Sequence, residues 1–110
     1  MRARFAKTLL GVSVIVVLAG ARTRTPAPHA VGVSMKSVSY APASISASVG
    51  DTIVWTNEDI LTHTVTADTA KWDSGDLPAR KQYRLVVKAK GTISYHCELH
   101  PTMKGSVVVK

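Results

Sequence analysis

In Thr92-Ile93-Ser94-Tyr95-His96-Cys97-Glu98-Leu99-His100-Pro101-Thr102-Met103-Lys104-Gly105, a β-strand runs into a short loop. Strand side chains alternate, so Ile93, Tyr95 and Cys97 share one face and Thr92, Ser94 and His96 the other. Cys97 is therefore expected to point inward at the strand's end. Cys97, His100 and Met103 then recur at three-residue steps, a Cys-x2-His-x2-Met run in which one loop can wrap a single ion. Thiolate and thioether sulfur suit Cu(I), and imidazole nitrogen also holds Cu(II), so this donor mixture is suited to a metal that cycles between both states. His63, opening the alternating stretch His63, Val65, Ala67, can arrive from a distant strand as the fourth ligand. The predicted metal set is His63, Cys97, His100 and Met103. Zinc would accept two imidazoles and a thiolate, but it gains little from a thioether.

Outward from this loop the chain reads as short strands between turns, with no helical period and no internal repeat. Val31, Val33 and Met35, extending to Val38, begin a strand that Ala41-Pro42 breaks. Ile45, Ala47 and Val49 alternate with serines, Gly50-Asp51 turns the chain, and Ile53 and Trp55 continue toward Asn57. Gln82 to Lys88 is β-prone, Gly91 turns the chain back, and Gly105, a turn glycine, starts the last strand, Val107 to Val109. Seven or eight short strands in so little chain predict an all-β sandwich with Greek-key connections. Trp55, Trp72 and Tyr95 are expected in its core.

Residues 1–21 read as an export signal. Arg2, Arg4 and Lys7 precede the apolar run Leu9 to Ala19, and Ala19-Gly20-Ala21 offers a small-x-small cleavage site, with a later cut after Ala30 as the alternative. The apolar run is shorter than the ~20 residues a membrane-spanning helix needs, so no stable membrane association is expected after cleavage. Residues 22–30 form a Pro-rich linker, with His29 idle within it, and 31–110 the folded domain. Cys97 is the only cysteine, which excludes an internal disulfide; a lone exported thiol is explained by metal binding, which keeps it deprotonated and shielded. Removing the leader lowers the net charge from +7 to +4, because it carries three basic residues and no acids. The remaining cations are scattered without interleaved aromatics, so nucleic acid is not an expected partner. A redox protein with an acidic docking face is compatible with that charge.

Gly50-Asp51-Thr52-Ile53-Val54-Trp55-Thr56-Asn57, His63-Thr64-Val65 and the Tyr95 to Gly105 loop together resemble the small blue copper proteins, the cupredoxins. The short loop is most similar to that of the amicyanins, with plastocyanin and pseudoazurin as longer-looped relatives. The resemblance covers Val31 to Lys110. It implies an eight-stranded sandwich with one type 1 copper near one end, bound by His63, Cys97 and His100 with Met103 axial. It also implies outer roles for Asn57, tying the two ligand-bearing segments together, and for Pro101, which lacks an N–H beside the ligands. His100 would reach the surface within an apolar patch formed by Ile60, Leu61, Pro78, Leu99 and Pro101. The chain departs from the family at Pro78-Ala79-Arg80, where a Pro-Gly turn is common.

These residues imply a one-electron carrier working as a monomer in the periplasm, or otherwise exported, between transient redox partners. Copper carriage or storage is the alternative function; Met35 and Met103 alone, outside the leader, make a poor Met-rich carrier. A Cys97 nucleophile with His63 or His100 as base would be the enzymatic arrangement. No substrate or oxyanion-hole motif accompanies it, so no enzyme is expected. His96, on the opposite face from Cys97, is expected in solvent.

Overall fold

The computed structural model describes residues 10–17, 20 and 27–110. Eight strands form: β1 Ala30–Lys36, β2 Ser39–Ala41, β3 Ser44–Ala47, β4 Thr52–Asn57, β5 Thr66–Ala67, β6 Gln82–Val86, β7 Gly91–His96 and β8 Lys104–Val109. They build two four-stranded sheets in the orders β2-β1-β4-β6 and β3-β8-β7-β5. Only β1–β2 and β7–β8 are joined within one sheet; every other connection crosses between the sheets. The crossings make the non-consecutive pairs β1·β4 and β3·β8 parallel, whereas β7·β8 is an antiparallel hairpin in which His96 faces Lys104. This is the Greek-key β-sandwich that the strand pattern predicts. Among the described residues no helix is long and apolar enough to cross a membrane. Most of the expected export signal, with its Ala21 cleavage site, lies outside the described residues.

Alternation creates the core. In β4, Ile53, Trp55 and Asn57 are buried while Thr52, Val54 and Thr56 are half-exposed. In β1, Val33 and Met35 turn inward beside them. The sheets meet over an aromatic cluster centred on Tyr95, with Tyr40 edge-on at 4.7 Å, Trp55 edge-on at 5.4 Å and Trp72 at 5.9 Å between ring centroids. Trp55 and Tyr95 are wholly buried. Each edge-to-face pair adds ~0.5–1.5 kcal/mol beyond the area it buries.

Gly105 is not a turn residue. It lies within β8 opposite Tyr95, and a Cβ there would stand 2.4 Å from the tyrosine ring. The strand therefore needs glycine for close approach to an immobile aromatic side chain.

Other sequence expectations are also corrected. Ser37 and Val38 are not strand residues but a left-handed turn (φ 52° and 54°) joining β1 to β2, which leaves Val38 exposed. Val49 falls after β3 and is exposed as well. The stretch from His63 to Ala67 does not alternate: all five residues are buried, and only Thr66–Ala67 form a strand. The end of the linker is anchored through its backbone: the His29 N–H donates to Asp51 Oδ1 at 2.8 Å and its carbonyl accepts from Thr52, seating the chain just before β1, while the imidazole stays exposed.

Candidate metal centre

Cys97 and Met103 bracket the loop between β7 and β8. The Cys97 N–H donates to the Met103 carbonyl at 3.0 Å, adding one rung beyond the hairpin's last strand pair. Inside that rung the Met103 N–H donates to the His100 carbonyl at 2.8 Å, closing a four-residue turn. Pro101 occupies the second position of this turn, where a fixed φ near −65° is preorganised. Cys97 and Met103 are both buried in the core cluster, and His100 is half-buried.

His63 is held differently. It forms an isolated bridge with Leu77, through His63 N to Leu77 O at 3.1 Å and Leu77 N to His63 O at 2.8 Å. Asn57, wholly buried at the end of β4, donates from its amide to the carbonyls of Leu61 and Leu77, each at 2.8 Å, and its Oδ1 accepts the Asp59 N–H at 2.9 Å. One side chain thus organises both strands of chain that flank His63. The tie to the Cys97 segment comes from Thr64, not Asn57: the Thr64 N–H points at Cys97 Sγ at 3.3 Å, and its hydroxyl accepts the Glu98 N–H at 2.9 Å. Tyr40 anchors the same residue from the core, its hydroxyl donating to the Thr64 carbonyl at 2.6 Å; burial raises the phenol's pKa well above its ordinary value, so it remains a donor.

The two loops bring three donor atoms together. His63 Nδ1 and His100 Nδ1 are 3.2 Å apart, and Cys97 Sγ lies 3.9 Å from the first and 3.8 Å from the second. The circle through these atoms has a radius of about 2.1 Å, the length of ordinary metal–imidazole bonds and close to metal–thiolate bonds. Among the described residues this trio is the one cluster of at least three His, Cys, Asp or Glu side chains that could hold a metal ion.

The outer nitrogen of His63 is also engaged, at 2.6 Å from Asp59 Oδ2. Burial pushes the Asp59 carboxyl up, but the Val38 N–H, His63 and the Ser37 N–H outweigh it and hold it below its ordinary 3.8. An ionised carboxylate only accepts hydrogen bonds, so Nε2 carries the imidazole proton and the Nδ1 lone pair is left for a metal. Sequence reading missed Asp59, Thr64 and Tyr40; the only local signal was the four-residue step from Asp59 to His63.

Residues 8–109 match the Cupredoxin-like domain family. The chain belongs to that family. This cupredoxin is 30% identical over 89 residues to amicyanin of Paracoccus denitrificans, covering 76% of this chain and 68% of that protein. It is 26% identical over 86 residues to amicyanin of Paracoccus versutus, covering 74% and 65%. The chain thus spans about two thirds of the length of these curated relatives. A solved Cu(I) form of an amicyanin mutant superposes with a TM-score of 0.69 at 29% identity, over 74% of this chain and 82% of that one.

Around the site of this cupredoxin, Ile60 is almost fully exposed, and Leu61, Pro78, Leu99 and Pro101 are exposed as well. His96 is not free in solvent. Its Nδ1 meets Asp68, and its Nε2 meets Glu98 at 2.9 Å. Asp68 first, then Glu98, hold its pKa above the ordinary 6.5.

Proposed function

We propose that this protein is an exported carrier of single electrons that binds one type 1 copper ion through His63, Cys97, His100 and Met103. The observation that carries the proposal is the convergence of two imidazole nitrogens and one thiol sulfur on a circle of metal-bond radius. Relatives named amicyanin, one of them solved as a Cu(I) form, support copper as the occupant. Copper supplies a one-electron couple between two oxidation states, and two sulfur and two nitrogen donors suit both.

The protein's own contribution is rigidity. His63 is fixed through Asn57, Leu77 and Asp59, and the Cys97 loop through its β7–β8 rung and through Thr64. Donors held in this way move little when the charge on the ion changes, which lowers the barrier to electron exchange. Thr64 also directs an N–H toward the Cys97 sulfur at 3.3 Å, a further contact that fixes the position of that donor. An electron carrier of this kind needs no catalytic turnover of its own.

Half-buried His100 lies in the same loop as exposed Leu99 and Pro101, and an apolar contact around it fits a partner that binds and leaves quickly. Such encounters bury less than ~1,200 Å². The protein works as a monomer outside the cytoplasmic membrane, free of that membrane once residues 1–21 are removed.

Electron exchange is to be compared with copper exchange in the copper-loaded protein. Mixing reduced protein with an oxidised small redox protein should transfer electrons in milliseconds to seconds, while a strong copper chelator removes little metal over minutes. Rapid metal transfer with negligible electron exchange would instead establish a copper carrier.

A further inference from the structure

The β1–β2 turn takes an unusual conformation for its sequence. Two successive left-handed residues are the pattern of a two-residue hairpin turn that favours Asn and Gly, yet Ser37 (φ 52°) and Val38 (φ 54°) occupy it. A β-branched residue rarely enters this region. The turn presents its backbone N–H groups to a single carboxylate: Ser37 N donates to Asp59 Oδ1 at 2.7 Å and Val38 N to Asp59 Oδ2 at 2.9 Å. Asp59 is gripped from its own side too, its N–H donating to Asn57 Oδ1 at 2.9 Å. With both oxygens already fixed by the turn, Oδ2 still meets His63 Nε2 at 2.6 Å. A turn on one edge of the sandwich is therefore connected through one carboxylate to a wholly buried imidazole.

We propose that Asp59 is a positioning residue of the metal centre: clamped by the Ser37-Val38 turn, it locks His63 in the Nε2–H tautomer with Nδ1 turned toward Cys97 and His100. This rests on the copper reading above and adds how that site is tuned. A negative carboxylate on the far side of the ring makes His63 a stronger donor, an effect that matters more for Cu(II) than for Cu(I). Asp59 thus favours the oxidised ion and lowers the reduction potential. The neighbouring Glu58 carboxylate, bound to the Ser34 hydroxyl at 2.8 Å, has no such connection.

The test is Asp59→Asn, which keeps the side chain's shape and removes its charge and one acceptor, with Glu58→Gln as control. Loss of an outer hydrogen-bond partner lowers metal affinity ~10–100-fold. Cu(II) affinity should fall by that factor and Cu(I) affinity by less, so the potential rises; a tenfold excess loss for Cu(II) corresponds to about 59 mV. Glu58→Gln should leave both affinities and the potential unchanged. If Asp59→Asn lowers only unfolding stability, with potential and affinities intact, Asp59 is merely a turn cap and the proposal fails.

A second reading needs neither a variant nor copper. Nitrogen-15 NMR of the histidine rings in the metal-free protein should show His63 protonated at Nε2. Protonation at Nδ1 would overturn the proposal, even if Asp59→Asn fails to fold. If the unaltered protein bound no copper, the carrier reading would fail on its own, and the His63 tautomer would still decide the role of Asp59.

Discussion

The Cys97–Met103 loop and the segment from Glu58 to Val65 each deliver one imidazole to the same point, and they are held by different kinds of contact. The loop closes on itself through a β7–β8 rung and a Pro101 turn, between residues three and six apart. The His63 segment depends on distant partners: Asn57 at the end of β4, Leu77 across an isolated bridge, and Asp59 fastened to the β1–β2 turn. A hairpin can present ligands from local spacing alone, whereas an irregular segment needs buried polar groups to define its path. The second kind of order is more vulnerable, because a buried polar atom without a partner costs far more than a hydrogen bond contributes.

The difference can be broken first at Asn57. Asn57→Leu keeps the volume but strands the Leu61 carbonyl and the Asp59 N–H, and takes one of two donors from the Leu77 carbonyl, which keeps the His63 N–H. At ~1–3 kcal/mol for each of these two unsatisfied groups, denaturant unfolding should show a loss of at least about 2 kcal/mol together with weaker metal binding. The hairpin side is probed by Gly105→Ala, whose methyl would collide with a Tyr95 ring that Tyr40, Trp55 and Trp72 hold in place. Overpacking predicts a loss of ~1–3 kcal/mol.

Asp51, in the Gly50-Asp51 turn before β4, is a third, acid-sensitive point. N–H donation from His29 and then Ser48 lowers its carboxyl pKa below 3.8. Its contribution is therefore present above pH 3.8 and fades as pH falls through the lower folded-state value. Unfolding of the metal-free protein from pH 7 downward should lose stability on that acid side, and Asp51→Asn should flatten this part of the profile.

The smallest effect is expected at Arg80. The Lys81 N–H donates to the Pro78 carbonyl, and Arg80 at φ 70° takes the third position of that turn, where glycine is favoured. A non-glycine residue there loses ~1–2 kcal/mol, partly offset by glycine's greater unfolded entropy. Arg80→Gly should therefore stabilise the protein by up to about 1 kcal/mol without changing its spectrum.

The same contrast explains what the sequence reveals. Strand alternation exposes β4 and β7, and the three-residue steps mark Cys97, His100 and Met103, because these patterns are local. His63 is legible only as the start of an alternating stretch, and the structure makes it part of a fully buried irregular segment instead. Val38 and Val49 look like strand residues by composition but fall in turns, where backbone connections override β-propensity. Thr64 and Asp59 touch partners 34 and 22 residues away, so their roles emerge only once the chain is folded. The export signal has no counterpart among the described folded residues and rests on sequence pattern alone.

The most direct test of the account is to add one equivalent of Cu(II) to the protein and to Cys97→Ser, recording visible absorption and electron paramagnetic resonance. The unaltered protein should develop an intense thiolate-to-copper band with narrow copper hyperfine splitting, and Cys97→Ser should lose that band. Weak colour with ordinary Cu(II) splitting in the unaltered protein, or equal colour in Cys97→Ser, would contradict a His63, Cys97, His100 centre built for electron transfer.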